Sequence, residues 1–221
     1  MPLKRILRDE KRFHMQLKRR RSAPREFREL IPEGFPKNEK HLRELINRMP
    51  KLMNYPEWFA HYLFEGGGSF YFHNLIRRRD ALSVLIKSAS KEQLIRFFKA
   101  MDPRAYIVFM ERITGPEFAR SLPYKELEKV FSALASTMNK KKVQEIPFLG
   151  IEFYNLFRKW MKSGFFDVLL DRGTKTFFSR GKKEELARVA LYLYMAGATE
   201  AQVRKFLGRR ISIKAAIEEY Y

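Results

Sequence analysis

The chain contains no cysteine, which excludes a disulfide framework, a thiol nucleophile and any zinc or iron–sulfur site built on thiolates. Histidine is scarce, and His14, His41, His61 and His73 share no metal-ligand spacing. No uncharged run reaches the roughly 18 residues that a membrane span needs, so we expect no transmembrane helix. The basic N-terminus lacks the apolar stretch of a secretory signal, and the expectation is an intracellular, cytoplasmic protein.

Acidic residues are also in short supply. The 221 residues include 45 Lys and Arg but only 25 Asp and Glu, which gives a net charge of +20. The excess is uneven: residues 1–25 hold ten basic and two acidic residues, and residues 172–214 hold eleven and three. A charge-rich thermophile surface would balance its two signs. Because self-repulsion on this scale destabilises a compact chain, we expect a polyanionic partner, nucleic acid before an anionic membrane surface.

The N-terminal arm carries the first group of candidate contacts. Its cations suit a segment that lies along the phosphate backbone of DNA or RNA. They are Arg5, Arg8, Lys11, Arg12, Lys18, Arg19, Arg20, Arg21 and Arg25.

Helical periodicity dominates the rest of the chain, and no alternating pattern is long enough for a sheet. The sequence therefore predicts an all-α, multi-helix protein with three parts. Residues 1–37 form a basic arm and linker, residues 38–180 a helical body, and residues 181–221 a C-terminal trihelical unit. The spacing of the aromatic residues favours a core, although the Phe-rich region 148–178 could instead be a protein interface, and aromatic segments can also serve as stacking platforms for single strands.

Several local signals predict helix ends. Ser90 with Gln93 and Thr199 with Gln202 are capping-box sequences. Asp102-Pro103 combines an N-cap with proline at the first helical position. The remaining predicted signals are Pro50, Gly197 and Gly208 as helix ends and Ser212 as the cap of the last helix, 213–220.

The C-terminal segment resembles helix-turn-helix DNA-binding domains through Ala198-Thr199, Val203, Leu207-Gly208 and Ser212. The resemblance implies that the third helix enters the major groove of DNA. Val203, Phe206 and Leu207 would then pack against Val189, Leu191 and Leu193, while Ile211, Ile213 and Ile217 would hold the third helix down. The cations left to face phosphates or base edges would be Arg204, Lys205, Arg209, Arg210 and Lys214.

Two fainter resemblances concern enzymes. The spacing from Leu207-Gly208 to Tyr220 is similar to the end of tyrosine recombinases, but no histidine follows His73 to complete their catalytic set. Residues 59–70 look like a degraded LAGLIDADG endonuclease motif, in which Gly67 occupies the position of the metal-binding carboxylate and Glu65 stands two residues away. These patterns leave a degenerate nuclease or recombinase as an alternative.

Taken together, the sequence predicts a non-catalytic nucleic-acid-binding protein, with duplex DNA as the leading partner. The alternative is structured RNA, most plausibly in a ribosome, so we expect a nucleoid- or ribosome-associated protein. No cofactor and no metal is predicted. The oligomeric state stays open, a homo-oligomer included.

Overall fold

The computed structural model describes residues 23–31, 39–64, 75, 77–139, 151–171, 183–208 and 211–220. All regular secondary structure in these ranges is helical, which confirms the predicted all-α class. None of the helices described is long and apolar enough to cross a membrane. The chain divides into two compact units, Met1–Met101 and Asp102–Tyr221.

The first unit contains five helices in its described part. They are α1 (Arg25–Leu30), α2 (Glu39–Leu52), α3 (Pro56–Phe64), α4 (Arg79–Ser88) and α5 (Lys91–Ala100). Helix α2 packs against α1 and α4, and α3 packs against α5.

Apolar residues at helical spacing form the core of this unit. Along α2, Leu42, Leu45, Ile46 and Met49 follow the i, i+3, i+4, i+7 pattern, and all four are buried. The ring of Phe59 in α3 lies 5.7 Å from that of Phe97 in α5. Burial of these faces fixes which residues of each helix remain on the surface.

Helix α2 corrects one prediction, because Pro50 lies inside the helix and does not end it. Proline lacks the amide that would donate to the Ile46 carbonyl, so the helix loses one backbone hydrogen bond at this position. The Met53 amide donates to the Met49 carbonyl at 2.9 Å. Continuation past the proline buries Leu52 and Met53 completely, which offsets the lost bond.

The predicted capping signals of α5 and of the next helix are confirmed. The Ser90 hydroxyl accepts a hydrogen bond from the Gln93 amide at 3.1 Å, and the Gln93 side chain accepts one from the Ser90 amide at 2.8 Å. In the second unit, the Asp102 carboxylate accepts from the Arg104 amide at 3.0 Å, with Pro103 at the first helical position.

The second unit contains eight helices in its described part. They are α6 (Pro103–Ile113), α7 (Pro116–Ala119), α8 (Tyr124–Thr137), α9 (Ile151–Ser163), α10 (Phe165–Asp171), α11 (Lys183–Met195), α12 (Glu200–Leu207) and α13 (Ile213–Tyr220). Helix α9 packs against α7, α10 and α11, and so lies at the centre of this unit.

The core of the second unit is aromatic. Trp160, Phe157, Phe165 and Phe166 are at most 1% exposed, so this part of the Phe-rich region is core. The rings of Trp160 and Phe165 lie 5.5 Å apart in an edge-on arrangement, which aromatic pairs prefer. Gly164, with φ at +77°, makes the sharp turn that brings α10 back against α9.

The predicted domain boundaries at 37 and 180 both lie outside the described residues, as do residues 1–22 and 32–37 of the predicted arm and linker. The observed division falls at Met101 and Asp102, within the region predicted as one helical body. Helices α11, α12 and α13 belong to the second unit together with α6 to α10.

Candidate nucleic-acid interface

The turns between the last three helices are set by local sequence. Helix α11 ends in a Schellman arrangement: the Ala198 amide donates to the Leu193 carbonyl at 2.9 Å, and the Gly197 amide donates to the Tyr194 carbonyl at 2.9 Å. Gly197 has φ at +101° and Gly208 has φ at +71°, the left-handed conformation that glycine adopts most easily. Both predicted helix ends are therefore confirmed.

Helix α12 begins with the predicted capping box. The Gln202 amide donates to the Thr199 hydroxyl at 3.3 Å, and the Thr199 amide donates to the Gln202 side chain at 2.9 Å. Val203, Phe206 and Leu207 are buried. The intervening Arg204 and Lys205 are therefore exposed in the last turn, where cations favour the negative end of the helix dipole.

The packing partner of Phe206 differs in part from the prediction. Helix α12 does contact α11, but the Phe206 ring lies 5.7 Å from that of Phe157 in α9 and 5.2 Å from that of Phe166 in α10. Phe157 and Phe166 are distant from Phe206 in sequence, and their rings meet it through the fold of the unit. Helix α12 is thus held on the aromatic core, and its cations face away from that core.

Helix α13 overturns another expectation. Ile213 is 53% exposed and Ile217 is 42% exposed, so they do not hold the helix down, and Ile211 before the helix is half-buried. Among the side chains of α13 that the structure describes, Ala216 is the buried one. Helix α13 packs closely along α11, and a small side chain at the contact allows this close approach. The Ser212 hydroxyl accepts a hydrogen bond from the Ala215 amide at 3.2 Å, which confirms the predicted cap.

Three of the predicted contact residues form ion pairs. Arg25 lies 2.8 Å from Glu29, Lys205 lies 3.0 Å from Asp171, and Lys214 lies 3.8 Å from Glu218. All three pairs are exposed, and such pairs contribute about 0–1 kcal/mol each. Because these pairs are weak, each of the three cations can exchange its carboxylate partner for a phosphate.

Of the remaining predicted contacts, Arg204 is exposed and forms no ion pair within the described part of the chain. The others lie outside the described residues. They are Arg5, Arg8, Lys11, Arg12, Lys18, Arg19, Arg20, Arg21, Arg209 and Arg210.

In the second unit, the net positive charge lies outside the part of the chain that the structure describes. Its described part contains 13 Lys and Arg and 13 Asp and Glu, so it is neutral. The three connecting segments, 140–150, 172–182 and 209–210, hold nine basic residues and one acidic residue. The +8 excess of this unit thus belongs entirely to segments that join its helices.

Sequence reasoning missed a basic stretch in the first unit. Residues 77–99 hold seven Lys and Arg against two Asp and Glu. Averaging charge over the long middle of the chain hid this excess, and a count over a short window would have found it. Its cations with no carboxylate partner in the described structure are Arg77, Lys87, Lys91 and Lys99.

Arg78 in the same stretch forms ion pairs with two carboxylates. Its guanidinium contacts the Glu39 carboxylate and lies 2.7 Å from Asp80. These hydrogen bonds lower the pKa of Glu39 and of Asp80 and raise the pKa of Arg78. The cluster fixes the start of α4 against the start of α2.

No group of three or more His, Asp or Glu side chains capable of holding a metal occurs among the described residues. Glu65 and the side chain of Tyr220 lie outside them. The His61 ring lies 6.4 Å from the ring of Trp58 on the same helix.

No family model, curated protein or solved structure matches the chain. The helix-turn-helix resemblance of its last helices stays a prediction.

Proposed function

We propose that this protein binds duplex nucleic acid, DNA in the first instance, through contacts to the phosphate backbone and without catalysing a reaction. The observation that carries the proposal is the separation of charge in the second unit: balanced helices are joined by segments with nine basic residues and one acidic residue. A charge-rich surface that served only solubility would have no reason to concentrate its cations between the helices.

Phosphate contact accounts for this distribution. Each phosphate that a Lys or Arg neutralises releases condensed counterions, so cations gathered in a few segments bind a polyanion strongly at low salt. Segment 1–22 adds nine basic residues against two acidic ones. Binding would also relieve the self-repulsion of a chain with a net charge of +20.

The aromatic residues favour a duplex over a single strand. Single-strand recognition depends on exposed aromatic rings that stack on bases. Every Phe side chain that the structure describes is buried. Among the other aromatic side chains described, only Tyr124 is exposed, at 80%, while Tyr55, Trp58, Tyr62, Tyr154 and Tyr194 are half-buried. Contact with a duplex backbone requires cations alone.

The described helices do not by themselves supply base readout. Helix α13, the counterpart of a recognition helix, carries Lys214 with Glu218 and Glu219, a net negative charge. We therefore assign backbone contacts, not sequence reading, to Arg204 and to the adjacent Arg209 and Arg210. A structured RNA, ribosomal RNA included, offers the same phosphates and is the second ligand to test.

The salt dependence of binding tests the proposal. Affinity for a short DNA duplex and for an RNA hairpin should fall steeply with salt, and the R209A/R210A variant should flatten the slope of log K against log salt by about two units. The matched control R120A/K125A removes two exposed cations from the charge-balanced described helices and loops of the second unit. Equal slopes for both variants, or no binding by the unmodified chain, would refute the proposal; tighter binding of RNA would reassign the ligand.

A further inference from the structure

We infer that helices α4 and α5 of the first unit form a second, structurally fixed contact surface for the backbone of duplex DNA. The inference rests on the proposed function and names a surface that the sequence prediction left out. Residues 77–99 carry an excess of five positive charges. The described part of the second unit carries none, and residues 39–64 hold four basic and three acidic residues.

Ion pairing leaves much of this excess unneutralised. Arg78 is shared between Glu39 and Asp80, and Arg96 donates two hydrogen bonds to Glu57, at 2.5 and 2.9 Å. These pairs use the only carboxylate of α4. Arg79 also has an interaction partner. The other four cations, which we call the α4–α5 cations, form no ion pair within the described structure; they are Arg77, just before α4, and Lys87, Lys91 and Lys99.

Burial of the apolar faces determines where these cations point. Leu85 and Ile86 in α4 are at most 3% exposed, and so are Leu94 and Phe97 in α5. Lys87 follows the buried Ile86 and Lys99 follows the buried Phe98, so both lie off the buried face of their helix. Arg77, Lys87 and Lys99 are exposed, and Lys91 is half-buried.

The turn between the two helices holds two of these cations near each other. Lys87 lies in the last turn of α4, and Lys91 is the first residue of α5. Only Ser88, Ala89 and Ser90 separate them; Ala89 is buried, and Ser90 is fixed by its capping box. The chain therefore keeps two positive charges at one corner with little conformational freedom to lose on binding.

A duplex backbone is the partner that this surface fits. Within the described residues 77–100, both aromatic side chains, Phe97 and Phe98, are buried and offer no ring for stacking. Three of the four cations are lysines, which bind phosphate as point charges. Such contacts position a duplex without reading its sequence. The α4–α5 cations would add to the backbone contacts proposed for the segments of the second unit.

Matched quadruple variants test this surface. R77A/K87A/K91A/K99A should flatten the salt slope for a short DNA duplex by about three to four units if each side chain contacts one phosphate. The control R120A/K125A/R158A/K162A removes four exposed cations, also without an ion pair among the described residues, from the charge-balanced second unit. For this control variant, the slope of log K against log salt should change by less than about one unit.

Lysine footprinting provides a test without substitutions, which matters if the quadruple variant fails to fold. In the DNA complex, Lys87, Lys91 and Lys99 should be protected from acetylation, while Lys125 and Lys162 stay reactive. Equal slopes for the two quadruple variants, or equal reactivity of the two lysine groups, would overturn the inference. If R209A/R210A flattens the slope and the α4–α5 variant does not, the proposed function stands without this surface; if the unmodified chain does not bind, the proposed function itself fails.

Discussion

The hydroxyl of Tyr194 donates a hydrogen bond of 2.6 Å to the carbonyl oxygen of Ile211. This bond joins the end of α11 to the residues that lead into α13, across 17 positions of sequence. Since Ile213 and Ile217 are exposed, the bond and the contact at Ala216 hold α13 in place. The orientation of the C-terminal helix thus depends on a polar bond as well as on apolar packing.

Tyr194→Phe should loosen α13. Loss of the bond should cost about 0.5–1.5 kcal/mol. Hydrogen exchange of the Ala216 amide, which donates to the Ser212 carbonyl at 3.0 Å, should become faster. Tyr124→Phe removes an 80% exposed hydroxyl and should leave this exchange rate unchanged. An unaltered Ala216 rate in Tyr194→Phe would show that packing alone fixes the helix.

Phe206→Ala should destabilise the second unit strongly. The side chain is 1% exposed and contacts both Phe157 and Phe166, so truncation should leave a cavity and cost about 3–5 kcal/mol. Ile217→Ala, at a 42% exposed position, should change the free energy of unfolding by less than about 0.5 kcal/mol. Chemical denaturation measures both values, and similar losses would contradict the observed orientation of α12 and α13.

Stability should fall at acid pH in a way that depends on Arg78. The guanidinium lowers the folded-state pKa of Asp80 and of Glu39 below their ordinary values of 3.8 and 4.5. Their contribution is therefore present above those values and is lost as pH falls through the lower pKa values of the folded state.

Arg78→Gln should accordingly reduce stability near neutral pH and lose less of it on acidification. Arg120→Gln removes the same charge from an exposed position and is the control for general charge repulsion. Denaturant unfolding at about pH 6 and about pH 3 gives the comparison. Parallel pH profiles for Arg78→Gln and the unmodified chain would exclude this coupling.

Gly197→Ala should destabilise the end of α11 through backbone strain. The position has φ at +101°, and a Cβ added there meets nothing within 4 Å, so the cost reflects conformation and not a clash. Alanine should cost about 1–2 kcal/mol, while asparagine should cost less because it tolerates left-handed conformations. Thermal unfolding of the two variants should rank them in that order, and a reversed order would show that another contact dominates.

Local sequence alone determined the helices and most of their ends. The capping boxes at Ser90 and Thr199, the Asp102-Pro103 start and the left-handed glycines Gly197 and Gly208 act within a few residues, so the pattern contains what is needed to predict them. The all-α class follows for the same reason, because helical periodicity is a short-range property.

Tertiary structure decided which faces are covered and which charges are neutralised. Nothing near Pro50 in sequence shows that Leu52 and Met53 can be buried, and nothing in α13 shows that Ala216, not Ile213, meets its neighbour. The pair of Lys205 with Asp171 and that of Arg78 with Glu39 join residues more than 30 positions apart. Burial and ion pairing depend on such distant neighbours, and only the folded chain brings them together.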